Sequence, residues 1–516
     1  MTIAEMLVRN ARMYPNDCAL IELTPSKNFR KEINWKDFDE RANRVANALM
    51  ARGIKKGDKV LHLMMNSINW LEAYFGIIRT GAWAVPLNFR FTAKDIKYCA
   101  DIAEAKAIIF GEQFTDRVQE ARKDLPTVKD YIYVGENPPE NVELFEDVIA
   151  KASPEPTGVE LLDTDPCGLY FTSGTTGNPK PILLTHRNME STAITENRHH
   201  LQSHDDCFIL LPPLYHTGAK MHWYGNLIVG ARTVILTDIK PNYIVEAVHK
   251  ERGSIVWLLV PWLHDIIQAF DTGELKMKDF DFSCWRLMHV GAQPVPVSLI
   301  KRWKQYFPEM QYDDNYGLTE STGPGCLHLG MENQHKLGSN GTAGFNWELR
   351  IVDDNNKDVK RGTPGELIAR GNGVMREYYK NPELTATTLK NGWLHTGDVA
   401  RMDEDGFIYI VDRKKDVIIT GGENIYPVEL ESVIHQYPGI NDVAVIGMKD
   451  ERLGEIAAAI IDPLPGTKLT EEEVLEHCKK NLPNYQRPRK IIFGKVSRNP
   501  TGKLEKTKMR QTYSGG

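Results

Sequence analysis

The sequence predicts an α/β protein: a large N-terminal domain of layered α/β subdomains plus a β-rich subdomain, followed by a small mobile α+β C-terminal domain. Three observations support this prediction. Helix-like and strand-like segments alternate through the first two thirds of the chain, short strands separated by turns follow from about Gly344, and a helix-and-strand unit of about a hundred residues closes the chain.

The alternation of helices and strands begins near residue 38. The apolar positions Phe38, Ala42, Val45 and Leu49 are three or four residues apart and precede Gly53, which predicts a helix that ends there. The next segments, DKVLHLMM, INWLEAYFGIIRTG, AWAVPLN and AKAIIFG, predict a strand, a helix and two further strands. A second cycle of the same kind runs from TVILTD to MQYDDNYG.

The final part of the chain has a different pattern. YPVELESVIHQYPG predicts a helix that opens with Pro427, DVAVIGM and AAAIID predict strands, and a later helix carries Val474, Cys478 and Leu482 on one face. The charged stretch DRKKD, where few residues are expected to be buried, predicts the boundary. We therefore expect an N-terminal domain at 1–412, a hinge at 413–416 and a C-terminal domain at 417–516.

Composition and charge limit the class of partner. The net charge is −6, the isoelectric point is about 6.2, and Lys and Arg are scattered, so we expect no nucleic acid or anionic membrane as a partner. No apolar run approaches the roughly 18 residues of a membrane span. The seven cysteines form no CxxC pair, and the N-terminal segment lacks the apolar core of a signal peptide, which together predict a cytoplasmic protein.

The segment TSGTTGNPK contains an unusual concentration of groups that bind phosphate. Two glycines allow backbone N–H groups to point inward, four hydroxyl side chains add donors, and Lys180 adds positive charge. The spacing is not that of a Walker loop. A flexible polar turn uses the same residue types, so the segment alone leaves both interpretations open.

Other polar motifs follow in order. DDNYGLTE lies at the end of a predicted strand, where open α/β sheets bind their ligands. VGAQPVP precedes it, and PLYHTGA lies further upstream. GWLHTGD, DRKKD, GGENIYP and NPTGKLEK follow, and each of them is also compatible with an ordinary turn or a solvated tail.

Taken together, these motifs resemble the signatures of the adenylate-forming superfamily, which includes acyl-CoA synthetases, peptide-synthetase adenylation domains and beetle luciferases. The motifs occur in the family's order, from Thr172 to Lys503, and the resemblance covers nearly the whole chain. The residue after Lys180, usually glycine in the family, is Pro181 here.

The resemblance implies a nucleotide site. Its phosphate loop would hold the β- and γ-phosphates of ATP with Thr172, Ser173, Gly174, Thr175, Thr176, Gly177 and Lys180. Its adenine side would include Gly291, Ala292, Gln293, Asp314, Asn315, Tyr316 and Gly317, with Tyr316 stacked on adenine and Asp314 facing its amino group. Asp398 would bind the ribose hydroxyls through both carboxylate oxygens, assisted by Arg413, since a diol presents two donors.

The resemblance also implies catalytic roles. Thr319 would meet the α-phosphate, Glu320 would hold Mg²⁺, and Lys503 would neutralise charge between the carboxylate and the α-phosphate. Lys415 would be the hinge position, and Gly421 and Gly422 would admit the pantetheine arm of CoA. His216 would border the acid pocket, and the candidates for its lining near His216 are Met221, Trp257, Gly317 and Thr322, each of which is equally compatible with a place in the core.

These assignments imply an AMP-forming acyl-CoA synthetase that uses ATP, Mg²⁺ and CoA. An acid would attack the α-phosphate to give an acyl-adenylate and pyrophosphate, and the CoA thiol would then displace AMP. We expect a medium-chain, aromatic or alicyclic monocarboxylic acid. Two alternatives stay open from the sequence: loading of a separate acyl carrier protein, and a non-catalytic nucleotide-binding sensor. The sequence does not resolve a monomer from a homo-oligomer or the physiological direction.

Overall fold

The structure of the protein is a computed structural model, and it describes residues 1–172, 179–421, 423–498 and 504–513. Among these residues no helix is both long and apolar enough to cross a membrane. The described cysteines are all free thiols.

The helices of the described residues are α1 (Ile3–Met13), α2 (Trp35–Ala51), α3 (Ile68–Arg79), α4 (Ala93–Ala103), α5 (Thr115–Arg122), α6 (Phe145–Ala150), α7 (His186–His200), α8 (Thr217–Leu227), α9 (Pro241–Glu251), α10 (Val260–Asp271), α11 (Val297–Tyr306), α12 (Pro382–Thr388), α13 (Pro427–Ile434), α14 (Glu471–Asn481) and α15 (Lys506–Tyr513). The predicted first helix is α2, which begins after Asn34, whose side chain accepts a hydrogen bond from the Asp37 N–H. It ends before Gly53, whose φ of 84° favours glycine.

The first half of the chain contributes the strands β1 (Cys18–Thr24), β2 (Phe29–Asn34), β3 (Lys59–Leu63), β4 (Trp83–Pro86), β5 (Ala107–Gly111), β6 (Asp130–Val134), β7 (Glu143–Leu144), β8 (Pro166–Thr172), β9 (Lys180–Thr185), β10 (Cys207–Leu210), β11 (Arg232–Leu236) and β12 (Ile255–Leu259). The second half contributes β13 (Leu287–Gly291), β14 (Gln311–Asp314), β15 (Tyr316–Gly317), β16 (Pro324–Leu327), β17 (Thr342–Ala343), β18 (Trp347–Val352), β19 (Gly365–Gly371), β20 (Glu377–Tyr378), β21 (Leu389–Lys390), β22 (Trp393–Met402), β23 (Ile408–Arg413), β24 (Ile418–Thr420), β25 (Glu423–Ile425), β26 (Ile440–Asp450), β27 (Gly454–Pro463) and β28 (Lys490–Phe493).

Two large, mostly parallel sheets form the layered part of the molecule. One has the strand order β20-β9-β8-β4-β3-β5-β6-β7 and the other β14-β13-β12-β10-β11-β1-β2. The largest buried core contains residues from both sheets and from α2, α3 and α8, including Phe38, Trp70, Phe75 and Trp223. The helices between the sheets are therefore covered on all sides, which explains why α3 is almost entirely buried.

A smaller antiparallel sheet follows, as the short strands from Gly344 predict. Its order is β18-β19-β22-β21, with β23 paired to β22, and a separate three-stranded sheet has the order β15-β16-β17. The last unit has the order β25-β24-β27-β26, with β28 parallel to β27. Its cores include Leu430, Val474 and Cys478 on one face and Met509 on the other.

The predicted fold class, a large α/β part followed by a small α+β part, is confirmed by this architecture. The boundaries at 412 and 417 stay a prediction. One detail of the boundary differs from expectation, because Asp412 and Asp416 at the two ends of the charged stretch are both buried. Each has a cationic neighbour: Lys506 Nζ lies 4.0 Å from Asp412 Oδ2, and Arg510 Nη2 lies 2.9 Å from Asp416 Oδ1. Ion pairs to α15 make this burial tolerable.

Candidate active site

The candidate site lies at the carboxyl ends of β13 and β14. These neighbouring parallel strands pair Val290 with Asp314, so the loops that follow them leave the sheet side by side. Gly291 is the last residue of β13, and a Cβ there would lie 3.1 Å from the Asn315 carbonyl oxygen. A glycine at this position therefore permits the close approach of the two loops.

Tyr316, Asp398 and Arg413 form one group. The Tyr316 hydroxyl donates a hydrogen bond to Asp398 Oδ2 over 2.5 Å, and Arg413 Nε lies 3.4 Å from Asp398 Oδ1. Asp398 and Arg413 face each other across β22 and β23, which explains their pairing. Burial and the Asp398 carboxylate raise the pKa of Tyr316 well above its usual value, so the phenol keeps the proton that it donates.

Lys180 and Glu320 are joined through a third residue, Tyr378. The Tyr378 hydroxyl donates a hydrogen bond to Glu320 Oε1 over 2.8 Å, and Lys180 Nζ lies 5.6 Å from the centre of the Tyr378 ring. Tyr378 is in β20, which pairs with β9 and places Tyr378 opposite Ile182. The lysine of the phosphate motif and the proposed metal ligand are thus brought to one side chain.

Three of the predicted acid-binding residues, His216, Met221 and Trp257, lie in or beside α8. His216 precedes the first residue of this helix, and the Thr217 hydroxyl lies 3.5 Å from the Thr319 hydroxyl. A Cβ at Gly218 would lie 2.8 Å from Trp257 Cη2, so the start of α8 contacts this buried indole. Met221 is buried one turn further along the helix.

Asp314 and Thr322 are both buried. Asn340 Nδ2 donates to Asp314 Oδ1 over 3.3 Å, and burial together with the charge of Asp313 raises the pKa of Asp314 well above its usual value. Thr322 has the left-handed φ of 59° in the turn after Glu320. Their contacts with adenine and with the acid stay predictions.

The C-terminal part of the chain contacts the loop after β13. Arg498 Nη1 donates to Gln293 Oε1 over 3.4 Å, and Arg498 forms an isolated β-bridge with Leu504. Lys503 lies between these two residues in the sequence, but it is outside the described residues. The predicted site residues Ser173, Gly174, Thr175, Thr176, Gly177 and Gly422 are also outside the described residues. Their assigned roles remain predictions.

Lys415, the predicted hinge residue, is close to the candidate site as well. Burial and the charges of Arg413, Arg510 and Lys180 lower the pKa of Lys415. Gly421, at φ 58°, is exposed, and its N–H donates to the Leu453 carbonyl.

Sequence reasoning missed three residues of this arrangement: Tyr378, Thr217 and Arg498. Each acts through a partner that is distant in sequence, 58 residues away in the case of Tyr378 and Glu320 and 205 in the case of Arg498 and Gln293. The sequence offers one signal, because Tyr378 belongs to the aromatic pair YY at 378–379, but that pair does not indicate a contact with Glu320.

Comparisons with known proteins identify the family of this chain. The family described as AMP-binding enzyme matches residues 7–379, and the AMP-binding enzyme C-terminal domain matches residues 429–503. The long-chain-fatty-acid–CoA ligase FadD13 of Mycobacterium tuberculosis is 34% identical over 516 residues, covering 99% of this chain and 98% of that protein. A feruloyl-CoA synthase of Amycolatopsis is 32% identical over 512 residues, covering 98% of each. The ATP-bound structure of MatB from Rhodopseudomonas palustris has a TM-score of 0.89 at 27% identity, covering 100% of this chain and 99% of that one.

The chain belongs to the family of AMP-binding enzymes. The resemblance to the adenylate-forming superfamily and the predicted enzyme class, a carboxylic acid–CoA ligase, are therefore confirmed. A non-catalytic sensor is not supported. Binding of ATP or AMP follows from the family, whereas the acid and the roles of Mg²⁺ and CoA require proposals.

Proposed function

We propose that the protein activates a medium-chain, aromatic or alicyclic monocarboxylic acid with Mg-ATP and transfers the acyl group to CoA. This proposal rests on the contacts of Tyr378 with both Lys180 and Glu320. Through Tyr378, a cation that would attract the leaving phosphates lies near a carboxylate that would bind a metal ion.

In the first step, a carboxylate oxygen of the acid attacks the α-phosphorus of ATP, and the bond to the bridging oxygen of pyrophosphate breaks. Positioning and neutralisation of charge dominate such a transfer. Asp398 would hold the ribose, and Lys180 would attract the leaving pyrophosphate. Lys503, by its place in the sequence motif, would neutralise charge at the reacting oxygens; the contact of Arg498 with Gln293 supports this by bringing the preceding segment to the site.

Glu320 fits a hard cation such as Mg²⁺. Glu320 is partly exposed and Tyr378 donates a hydrogen bond to one of its carboxylate oxygens, which supports its use as the kind of oxygen ligand that Mg²⁺ prefers. When bound with ATP, Mg²⁺ would neutralise phosphate charge.

In the second step, the sulfur of CoA attacks the acyl carbonyl, AMP leaves, and the thiol proton is released. Two apolar residues near the predicted acid pocket support an acid with an apolar group. Trp257 is buried and contacts the start of α8, and Met221 is buried in that helix. Relatives named for long-chain fatty acids and for ferulic acid support the same choice.

A panel of acids in a CoA-dependent AMP-release assay tests the proposal. We expect kcat/KM for octanoate, benzoate or cyclohexanecarboxylate to exceed that for acetate by about 100-fold or more, since each buried CH₂ contributes about 0.8 kcal/mol. Glu320→Gln should abolish most activity, whereas the matched change Glu309→Gln at an exposed position should not. Preference for acetate would contradict the acid class, and thioester formation with a pantetheinylated carrier alone would contradict CoA as the acceptor.

A further inference from the structure

A second cluster of polar residues is buried inside the molecule. It lies next to the candidate nucleotide site but shares no residue with it. Glu196 and His200 are four residues apart on α7 and so lie on one face of the helix, and His289 is in β13. The side chains of all three are fully buried. One ligand atom from each lies within 4.8 Å of the other two.

The separations between these atoms suit a small metal ion. Glu196 Oε2 lies 2.9 Å from His200 Nδ1 and 3.8 Å from His289 Nε2. Zinc bonds of about 2.0–2.1 Å in tetrahedral geometry place neighbouring ligand atoms roughly 3.3 Å apart. The two measured distances lie on either side of this value.

The same atoms have no hydrogen-bond partner among the described residues. Glu196 Oε2 and His200 Nδ1 are close enough for an ion pair, as are Glu196 Oε1 and His222 Nδ1, but neither pair has the geometry of a hydrogen bond, and His289 Nε2 has no hydrogen-bond partner among the described residues. Unsatisfied buried polar atoms are rare in folded proteins, because each costs about 1–3 kcal/mol. One ion bound between these atoms would satisfy several of them at once.

The other nitrogen of each histidine is held by a single carboxylate. Asp313 Oδ2 lies 3.0 Å from His200 Nε2 and 3.3 Å from His289 Nδ1, while Asp313 Oδ1 accepts a hydrogen bond from the His328 N–H over 2.9 Å. Metal-binding histidines commonly donate their second N–H to a carboxylate, which fixes the ring and directs the free nitrogen to the metal. Asp313 is placed to perform this role for both rings.

We propose that Glu196, His200 and His289 bind one Zn²⁺ ion, with Asp313 orienting the two imidazoles. Two imidazole nitrogens and one carboxylate oxygen in a buried site match the ligands that zinc uses. His222 is a neighbouring imidazole outside this group of three, and its Nδ1 lies 3.1 Å from Glu196 Oε1.

The alternative to a bound zinc ion is a proton shared within the same cluster. The Glu196 and Asp313 carboxylates lie 2.9 Å and 3.0 Å from the two ring nitrogens of His200, so a protonated imidazole would also be held by opposite charges here. Zinc binding would then release this proton, because the His200 nitrogen must be free to act as a ligand. The two states differ in metal content and are therefore distinguishable.

The position of the site indicates a structural role. His289 is two residues before Gly291, and Asp313 directly precedes Asp314. A bound ion would therefore stabilise the ends of β13 and β14, which lead into the loops of the candidate nucleotide site. An ion bound to the folded chain stabilises it by mass action. We therefore expect loss of zinc to lower the melting temperature without changing which acid is used.

Metal analysis of the full-length protein tests the proposal. Protein produced in zinc-supplemented medium and dialysed against EDTA should retain about one zinc ion per chain by plasma mass spectrometry. Replacement by Co²⁺ should give visible d–d absorption, and removal of zinc with a strong chelator at mild acidity should lower the melting temperature until Zn²⁺, but not Mg²⁺, is restored.

Variants separate the cluster from incidental binding. Glu196→Gln and His289→Gln should reduce the zinc content at least about fivefold. The matched change His62→Gln, at a buried imidazole whose nitrogens also lack partners among the described residues, should keep it. If the unmodified protein contains less than about 0.1 zinc per chain and neither binds added Zn²⁺ nor melts at a higher temperature with it, the proton-bearing cluster is correct and the proposal fails. This result would not depend on whether any variant folds.

Discussion

The Tyr316 hydroxyl donates a 2.5 Å hydrogen bond to Asp398 Oδ2, and this bond joins two separate sheets at the candidate site. The aromatic ring expected under the adenine and the carboxylate expected at the ribose therefore hold each other in place. A carboxylate that is fixed before the nucleotide arrives loses less side-chain freedom when it binds a diol.

Tyr316→Phe tests this coupling, since it retains the ring and removes only the hydroxyl. We expect KM for ATP to rise about tenfold, which corresponds to about 1.4 kcal/mol, while kcat stays within about threefold. Tyr409→Phe, which removes a hydroxyl on the neighbouring strand that contacts Asp403, should leave both constants unchanged. A fall in kcat with an unchanged KM would show that the bond serves the chemical step instead.

Tyr378→Phe tests the link between Lys180 and Glu320. The phenyl ring would still lie beneath the ammonium, but Glu320 would lose its hydrogen bond. We expect the free Mg²⁺ concentration for half-maximal activity to rise about tenfold at fixed ATP, because the carboxylate is less well oriented. The adjacent change Tyr379→Phe is the control. An unaltered Mg²⁺ dependence would remove Glu320 from the metal role.

The sequence predicted the elements around these residues better than the contacts between them. Periodicity located α2 and the alternating strands because it reflects which face of each element is buried. The pairing of Tyr378 with Glu320 depends on a two-residue strand at the edge of a sheet, which leaves no periodic signal. The burial of Asp412 depends on Lys506, which is remote in sequence, and the cluster around Glu196 depends on the contact of α7 with β13.

Lys503→Ala tests the role proposed for the C-terminal lysine. We expect acyl-adenylate formation to slow by about 100-fold or more, because charge between the carboxylate and the α-phosphate is no longer neutralised. Thioester formation from supplied acyl-adenylate should be much less affected. Lys495→Ala, at an exposed position nearby in sequence, serves as the control. Equal losses in the two half-reactions would contradict the assignment.

Because Asp412 is buried, we expect the relative population of the observed arrangement of the two proposed domains to depend on pH. Burial raises its pKa from 3.8 to about 6, while its Oδ2 accepts from the Val428 N–H over 3.0 Å. If rotation about 413–416 exposes Asp412, its pKa returns towards 3.8. The protonated carboxyl favours the buried arrangement, so this stabilisation is complete below about pH 4 and is lost as the pH rises through 6. A change of about two pKa units corresponds to about 3 kcal/mol.

Resonance energy transfer between dyes on exposed sites of the two proposed domains measures this effect. The population of the observed arrangement should increase as the pH falls from 7 to 5, and Asp412→Asn should flatten the profile. The exposed change Asp205→Asn should not. A profile that keeps its slope in Asp412→Asn would assign the titration to another group.

Exchange of labelled pyrophosphate into ATP in the absence of CoA tests the central claim most directly, since it reports reversible formation of an acyl-adenylate at this site. We expect exchange that requires both Mg²⁺ and an acid of the proposed class, and that is nearly abolished in Lys503→Ala. Activity with CoA that produces ADP, or AMP release with CoA but no acid-dependent exchange under any condition that supports turnover, would contradict it.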